Sequence, residues 1–233
     1  MQYHRIMLKL SGEALAGDKG TGFDEATARG VARQVKEAHD TGIEIGIVIG
    51  AGNFWRGRSS NRMDRVKADQ IGMLATVMNC LYAAEIFRTE GMETAIYAPY
   101  PIGPYTQTFN KDLAIRDMRE GKIVFFAGGT GHPYFSTDMA IALRAVETEC
   151  DVMLFAKNVD GVYDDDPNLN PNARKYDEMT YHEILAKGLK VMDLPAAALS
   201  MENHMPAVLF ALKEDKSIIR VVNGEKIGTT IVG

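Results

Sequence analysis

Short apolar runs alternate with longer amphipathic stretches along most of this chain. Ile6-Met7-Leu8-Lys9-Leu10 has the pattern of a buried strand, and the polar, glycine-rich stretch 11–22 reads as the loop after it. Asp24 then caps a helix on which Val31, Val35 and Ala38 recur at i, i+4 and i+7, with Gly42 at its C′ position. Residues 43–49 form a β-branched strand. A longer helix is predicted over 68–89, stopping at Gly91; Ile71, Leu74, Ala75, Met78, Leu81 and Tyr82 make one broad apolar face on it, suited to the core or to a subunit interface.

Strands at 93–97 and 122–126 flank a helix over 110–120, and a further helix over 137–148 leads to a strand at 152–155. The stretch 158–175, rich in aspartate, asparagine and proline, reads as turns without regular structure. Two short helices near 181–187 and 195–202 precede strands at 207–211, 217–222 and 229–232. This alternation predicts βαβ units: an α/β fold with a mostly parallel open sheet, helices on both faces and late strands free to pair antiparallel at one edge. Without an internal repeat or a linker, 1–233 reads as a single domain.

Composition narrows the function. The 233 residues, 46% hydrophobic and 24% charged, belong to the soluble globular class. A net charge of −5 argues against wrapping nucleic acid but leaves room for a locally positive pocket. Cys80 and Cys150 sit in apolar stretches as free thiols, and none of the five histidines has zinc-ligand spacing, so no protein-held metal site is expected. The N-terminal run is interrupted by His4, Arg5 and Lys9, unlike a signal peptide or membrane span; a cytoplasmic protein without a membrane partner is expected.

Candidate chemistry gathers at three glycine-rich turns that each follow an apolar run: Lys9-Leu10-Ser11-Gly12, Gly50-Ala51-Gly52-Asn53 and Gly128-Gly129-Thr130-Gly131. Glycine lets backbone N–H groups approach an anion, and open α/β sheets bind ligands at the carboxyl ends of their strands. Two familiar phosphate motifs fail. There is no Gly-x-x-x-x-Gly-Lys-Ser/Thr, and Gly50-Ala51-Gly52 meets Trp55 where a dinucleotide fingerprint needs a third small residue. The Gly-x-Ser-x-Gly of acyl hydrolases is also missing. What remains is a cleft with Lys9, Arg56, Arg58 and Lys157 at loop ends, which suits phosphoryl transfer, a reaction of positioning and charge neutralisation.

At these residues the chain resembles the amino acid kinase family and, within it, the bacterial UMP kinases. Lys9-Leu10-Ser11-Gly12-Glu13-Ala14-Leu15 looks like the family's ATP-phosphate loop. Asn53-Phe54-Trp55-Arg56-Gly57 and the segment from Asp69 to Thr76 resemble its nucleotide-monophosphate segment, and Thr130-Gly131-His132-Pro133-Tyr134-Phe135-Ser136-Thr137-Asp138 its UMP signature. Val159-Asp160-Gly161-Val162-Tyr163 with Asp166-Pro167 resembles the adenine-side loop.

The resemblance implies a three-layer sandwich that transfers the γ-phosphoryl of ATP to UMP in pyrimidine nucleotide synthesis, with Mg²⁺ held mainly by the nucleotide phosphates. Lys9, Arg56 and Asp138 become the catalytic residues, Asp138 either orienting lysines or holding Mg²⁺. Lys9, Leu10, Ser11, Gly12, Gly52, Arg56, Lys157, Asn158, Tyr163 and Asp166 become the ATP side. UMP falls to Ala51, Asp69 and the run Thr130, Gly131, His132, Pro133, Tyr134, Phe135, Ser136 and Thr137.

The chain departs from the family in two places. Ala51 stands where the family usually has glycine, which leaves that turn's geometry open. Lys157-Asn158 stands for the family's threonine-lysine, leaving open which of the two contacts ATP. Gly17, Asp18, Lys19, Gly20, Thr21 and Gly22 resemble a segment linked to allosteric activation by GTP, with UTP as the corresponding inhibitor, and the family implies a homohexamer. Two rival readings share the pocket: a family kinase acting on an amino-acid carboxylate, and a nucleotide sensor without turnover.

Overall fold

The structure is a computed structural model that describes residues 2–55, 63–167, 169–189 and 191–233. Its strands are β1 (Arg5–Leu10), β2 (Glu44–Ile49), β3 (Thr94–Ala98), β4 (Gln107–Thr108), β5 (Ile123–Phe126), β6 (Val152–Lys157), β7 (Val162–Tyr163), β8 (Lys175–Tyr176), β9 (Glu178–Thr180), β10 (Ala207–Ala211) and β11 (Thr229–Val232). The helices are α1 (Glu13–Ala16), α2 (Glu25–His39), α3 (Arg65–Thr89), α4 (Lys111–Arg119), α5 (Thr137–Glu147), α6 (Tyr181–Lys187), α7 (Leu194–Glu202) and α8 (Ser217–Val222). Among the described residues one sheet has the order β4-β3-β5-β2-β1-β6-β10-β11-β9, parallel throughout except where β10 meets β11.

Strand alternation builds two cores. Ile6, Leu8 and Leu10 of β1, with Ile45, Ile47 and Ile49 of β2 and Val152, Leu154 and Ala156 of β6, pack under α2, α3 and α8. Met7, Val48, Met153 and Phe155 point to the other face, under α4, α5, α6 and α7. Gly46 makes room there, because a side chain would strike Met7 and Phe126. Period two carries Lys9 and Lys157 onto this second face, just beyond the core and at the carboxyl ends of neighbouring strands.

β5, β2, β1 and β6 lie side by side in the middle of the sheet, so the segments following them meet at one edge. Side-chain caps start the helices there and elsewhere: Asp24 accepts from Thr27 N on α2, Asp64 from Lys67 N on α3, and Asn110 from Leu113 N on α4. The Asp64 cap begins α3 three residues earlier than the apolar pattern alone indicates. α3 is long and apolar enough to cross a bilayer, and 56% of its most apolar window is buried within the fold.

The structure corrects the sequence reading in several places. Residues 217–222 form α8, a helix and not a strand: Ser217, Ile218, Val221 and Val222 are buried on one face against α2, and a short β-branched run cannot announce which period it will adopt. The stretch 158–175 is less irregular than its composition suggests, since β7 pairs antiparallel with β8 at its end. The loop 11–22 contains α1 and a 3₁₀ turn at Gly17–Lys19. The edge strands β4 and β9, too short to carry a pattern, add to the sheet. α2 ends on Asp40, which moves Gly42 one position beyond C′.

Candidate active site

The first two glycine turns are in direct contact. A β-carbon on Gly12 would lie 2.2 Å from Asn53 Oδ1, 2.7 Å from Gly50 O and 2.9 Å from Gly52 N, so only glycine lets the loop after β1 close onto the loop after β2. Asn53 and Asn79 exchange a reciprocal pair of buried amide hydrogen bonds of 2.9 and 2.8 Å. Asn79 also donates to Gly50 O at 2.7 Å, and Asn53 to Gly22 O at 2.9 Å. The phosphate turn is thereby tied both to α3 and to the end of the 17–22 segment.

In the third turn Gly128, Gly129 and Gly131 have φ of 74°, 62° and 86°, the left-handed region that favours glycine. Thr76 Oγ1 of α3 accepts from Gly128 N at 2.9 Å and fixes the turn. Ala51 is not among the non-glycine residues with positive φ, so the second turn accommodates alanine without backbone strain.

Lys9 Nζ donates to Asp138 Oδ1 at 2.5 Å; the two side chains are 16% and 19% exposed. Asp138 stands in the first turn of α5, whose amides at Asp138 and Met139 are capped by Ser136 Oγ. The Phe155 ring lies beneath two ammonium groups, Lys9 and Lys157, each 5.9 Å from its centroid. Lys157 Nζ donates to Val191 O at 2.5 Å. Burial pushes the Lys157 ammonium below the ordinary lysine range; Asp138 opposes that shift and Lys9 adds to it.

Cavities follow the sheet edge on both sides of this pair. One of about 200 Å³ is lined by Ala51, Asp69, Thr130, His132 and Phe135–Thr137, together with Trp55 and Arg65. Its Ser136 is shared with a cavity of about 590 Å³ walled by Asp138, Lys157, Val191 and Asp193. Lys157 in turn is shared with a cavity of about 450 Å³ lined by Val159, Tyr163, Asp166 and Leu189. A further cavity of about 480 Å³ joins Ser11, Gly17, Asp18, Gly20, Lys157 and Asn158.

Most of the sequence-predicted residues therefore converge. Leu10 is buried, so it offers the site only backbone. Gly131 packs against Pro99, and neither it nor Pro133 or Tyr134 lines the 200 Å³ cavity. Tyr134 has φ of 72°, its N–H donates to Asp69 Oδ2 at 2.7 Å and its ring lies 5.1 Å from the Arg65 guanidinium, both partners lining that cavity. Arg65 also donates to Asp69 Oδ2, at 2.8 Å. Lys19 reaches Asp24 at 3.1 Å, and Thr21 lies outside the cavities described above. Arg56 lies outside the described residues.

Sequence reasoning missed Asn79, Arg65 and Asp193. Only Asp193 had a legible signal, a capping residue followed by Leu194-Pro195.

Residues 4–221 match the amino acid kinase family. The chain is similar to the crystal structure of UMP kinase from Bacillus anthracis, with 34% identity, a TM-score of 0.96 and coverage of 100% of this chain and 97% of that one. It is also similar to UMP kinase from Ureaplasma parvum, at 33% identity and a TM-score of 0.93, with both chains covered completely. A uridylate kinase from Archaeoglobus fulgidus, 24% identical with a TM-score of 0.72 over 97% of this chain and 99% of that one, shares the fold.

Proposed function

Because this chain belongs to the amino acid kinase family, we propose that it transfers the γ-phosphoryl group of ATP to UMP, giving UDP and ADP for pyrimidine nucleotide synthesis, with 1–233 acting as one catalytic unit. The observation that carries this reading is the Lys9–Asp138 pair, with Asp138 walling the cavity between an acceptor-sized cleft and a donor-side cleft. At neutral pH a phosphate monoester is largely dianionic, so the acceptor oxygen needs no general base. That oxygen bonds to the γ-phosphorus as the bond from phosphorus to the β–γ bridging oxygen breaks, and its electrons leave with ADP. Lys9 meets the negative charge spread over the transferring group, Asp138 holds Lys9 in direction, and Lys157 supplies a second cation.

On this reading Ser11, Gly12 and Gly52 bring backbone amides to the phosphates, and Arg56 bridges the two nucleotides. Tyr163 and Asp166 line the adenosine side. Lys157 is the one assigned to ATP phosphate, since it shares a sheet face with Lys9 and lines the central and donor cavities as well as the one by Ser11, whereas Asn158 lines only the last of these. The 130–137 segment and Ala51 enclose UMP. Arg65 and Tyr134 both bond Asp69 through Oδ2, which leaves Oδ1 for the ribose hydroxyls among the described residues.

The residues present fit a Mg²⁺ that arrives with its nucleotide. Among the described residues no group of three or more His, Cys, Asp or Glu is placed to hold a metal, while Asp138 stands at the central cavity beside the phosphate path. Bound there, Mg²⁺ neutralises phosphate charge.

The same reading makes the protein a cytoplasmic homohexamer, activated by GTP and inhibited by UTP. Ile71, Leu74 and Met78 support the assembly: they lie at i, i+3 and i+7 on α3 and are 39%, 53% and 47% exposed, an apolar stripe that another copy can cover. The two hydrogen bonds between Gly22 and Asn53 support communication from the 17–22 segment to the phosphate turn. A coupled assay offering UMP, CMP and N-acetylglutamate with ATP tests the reading. Turnover strongly favouring UMP is expected, and turnover confined to the carboxylate substrate overturns it.

A further inference from the structure

One carboxylate joins the acceptor side of the site to the donor side. Ser136 Oγ donates to Asp193 Oδ2 at 2.5 Å and accepts from Asp138 N at 3.0 Å and Met139 N at 3.4 Å. A serine hydroxyl has a single proton, so giving it to Asp193 turns the lone pairs toward the α5 amides. The other oxygen of Asp193 accepts from Ala196 N at 3.3 Å and caps α7. Capping α7 needs only that one oxygen. The second one reaches 57 residues back along the chain to the segment that ends in Asp138.

Two residues before Asp193, Val191 O receives the Lys157 ammonium. The run from Val191 to Asp193 is thus held at one end by a lysine of β6 and at the other by the serine that starts α5. These are the same two residues that walls between cavities share: Ser136 lines the acceptor and central cavities, and Lys157 the central and donor cavities.

We infer that Asp193 is a positioning residue for phosphoryl transfer: its bond to Ser136 fixes the donor-side wall at 191–193 against the acceptor segment and holds the start of α5, and with it Asp138, in register with Lys9. The inference rests on the function proposed above. It concerns alignment of two bound nucleotides, which a displacement of about 1 Å can cost on the order of 100-fold in rate. Asp193 does not line the acceptor cleft and reaches it only through Ser136, so its loss is expected to fall on kcat far more than on UMP affinity.

Asp193→Ser separates this role from capping, because serine keeps a hydroxyl acceptor for Ala196 N and lacks the oxygen that reaches Ser136. The expected result has three parts. Tm stays within a few degrees of the unaltered protein, and the Kd for UMP measured by calorimetry without ATP stays within about twofold, while kcat falls about 10- to 100-fold. Asp193→Asn, which preserves size and volume, is expected to give the same split, since its amide replaces one acceptor by a donor. A kcat within about twofold of the unaltered protein in both variants overturns the inference, as does a loss of UMP affinity that parallels the loss of kcat. An unaltered protein that transfers no phosphate to UMP overturns the functional reading, a result distinct from either.

Discussion

Lys9 and Asp138 are 129 positions apart in the chain, yet the ammonium of one and the carboxylate of the other meet at 2.5 Å over the end of the sheet. Strand alternation aims Lys9 at the face covered by α5, and Ser136 fixes where α5 begins. The pair is a product of the fold's register. On either side of it lie a cleft of about 200 Å³ and a cavity of about 590 Å³.

Lys157 shares that face and carries a pH dependence. Burial lowers its pKa, so its charge is lost at a lower pH than that of an exposed lysine. The KM for ATP should therefore rise as pH climbs through the depressed value. Lys157→Arg, which keeps its charge, should flatten that rise, and Lys157→Met should raise KM about tenfold or more at every pH. The stability effect has the opposite direction. The unfolded chain binds the proton more tightly than the folded one, so the nucleotide-free protein gains stability as pH rises from the depressed value toward the ordinary lysine range. Thermal melts of Lys157→Met across that window should lack the gain.

Gly12 is constrained by contact, since its φ of −57° suits any residue. Gly12→Ala must push apart Asn53 and the backbone of the second turn, and should cost about 1–3 kcal/mol in chemical denaturation together with most of the activity. Gly30→Ala offers the contrast. It lies within α2 with nothing within 4 Å of the new methyl group, and should stabilise the protein by about 0.5–1 kcal/mol.

These relations show what the sequence made legible. The strands of the central sheet were readable because each is a run of apolar residues ending at a glycine turn or a cation, and the helices because Asp24, Asn110 and their apolar spacing mark both face and start. Lys9, Ser11, the 130–137 run and Asp138 could be named from motif order alone. The fate of 217–222 could not, because Ile218-Ile219 and Val221-Val222 satisfy a strand or a helix equally until α2 supplies the packing partner. Nor could the Asn53–Asn79 pair or the Ser136–Asp193 bond. Each depends on an approach between distant segments that no local pattern encodes. The face that Lys157 takes was accessible in principle, since counting alternate positions from Met153 and Phe155 puts it with Lys9.

The central claim is that the Lys9 ammonium serves the transferring phosphoryl group and not merely the binding of a nucleotide. Replacing it with alanine and measuring both kcat with saturating ATP and UMP and the Kd for UMP without ATP tests this most directly. The account predicts a fall in kcat of about 1000-fold or more with UMP affinity changed by less than about threefold. Turnover of UMP in Lys9→Ala close to that of the unaltered protein, or an unaltered protein that binds UMP and never phosphorylates it, would contradict the account.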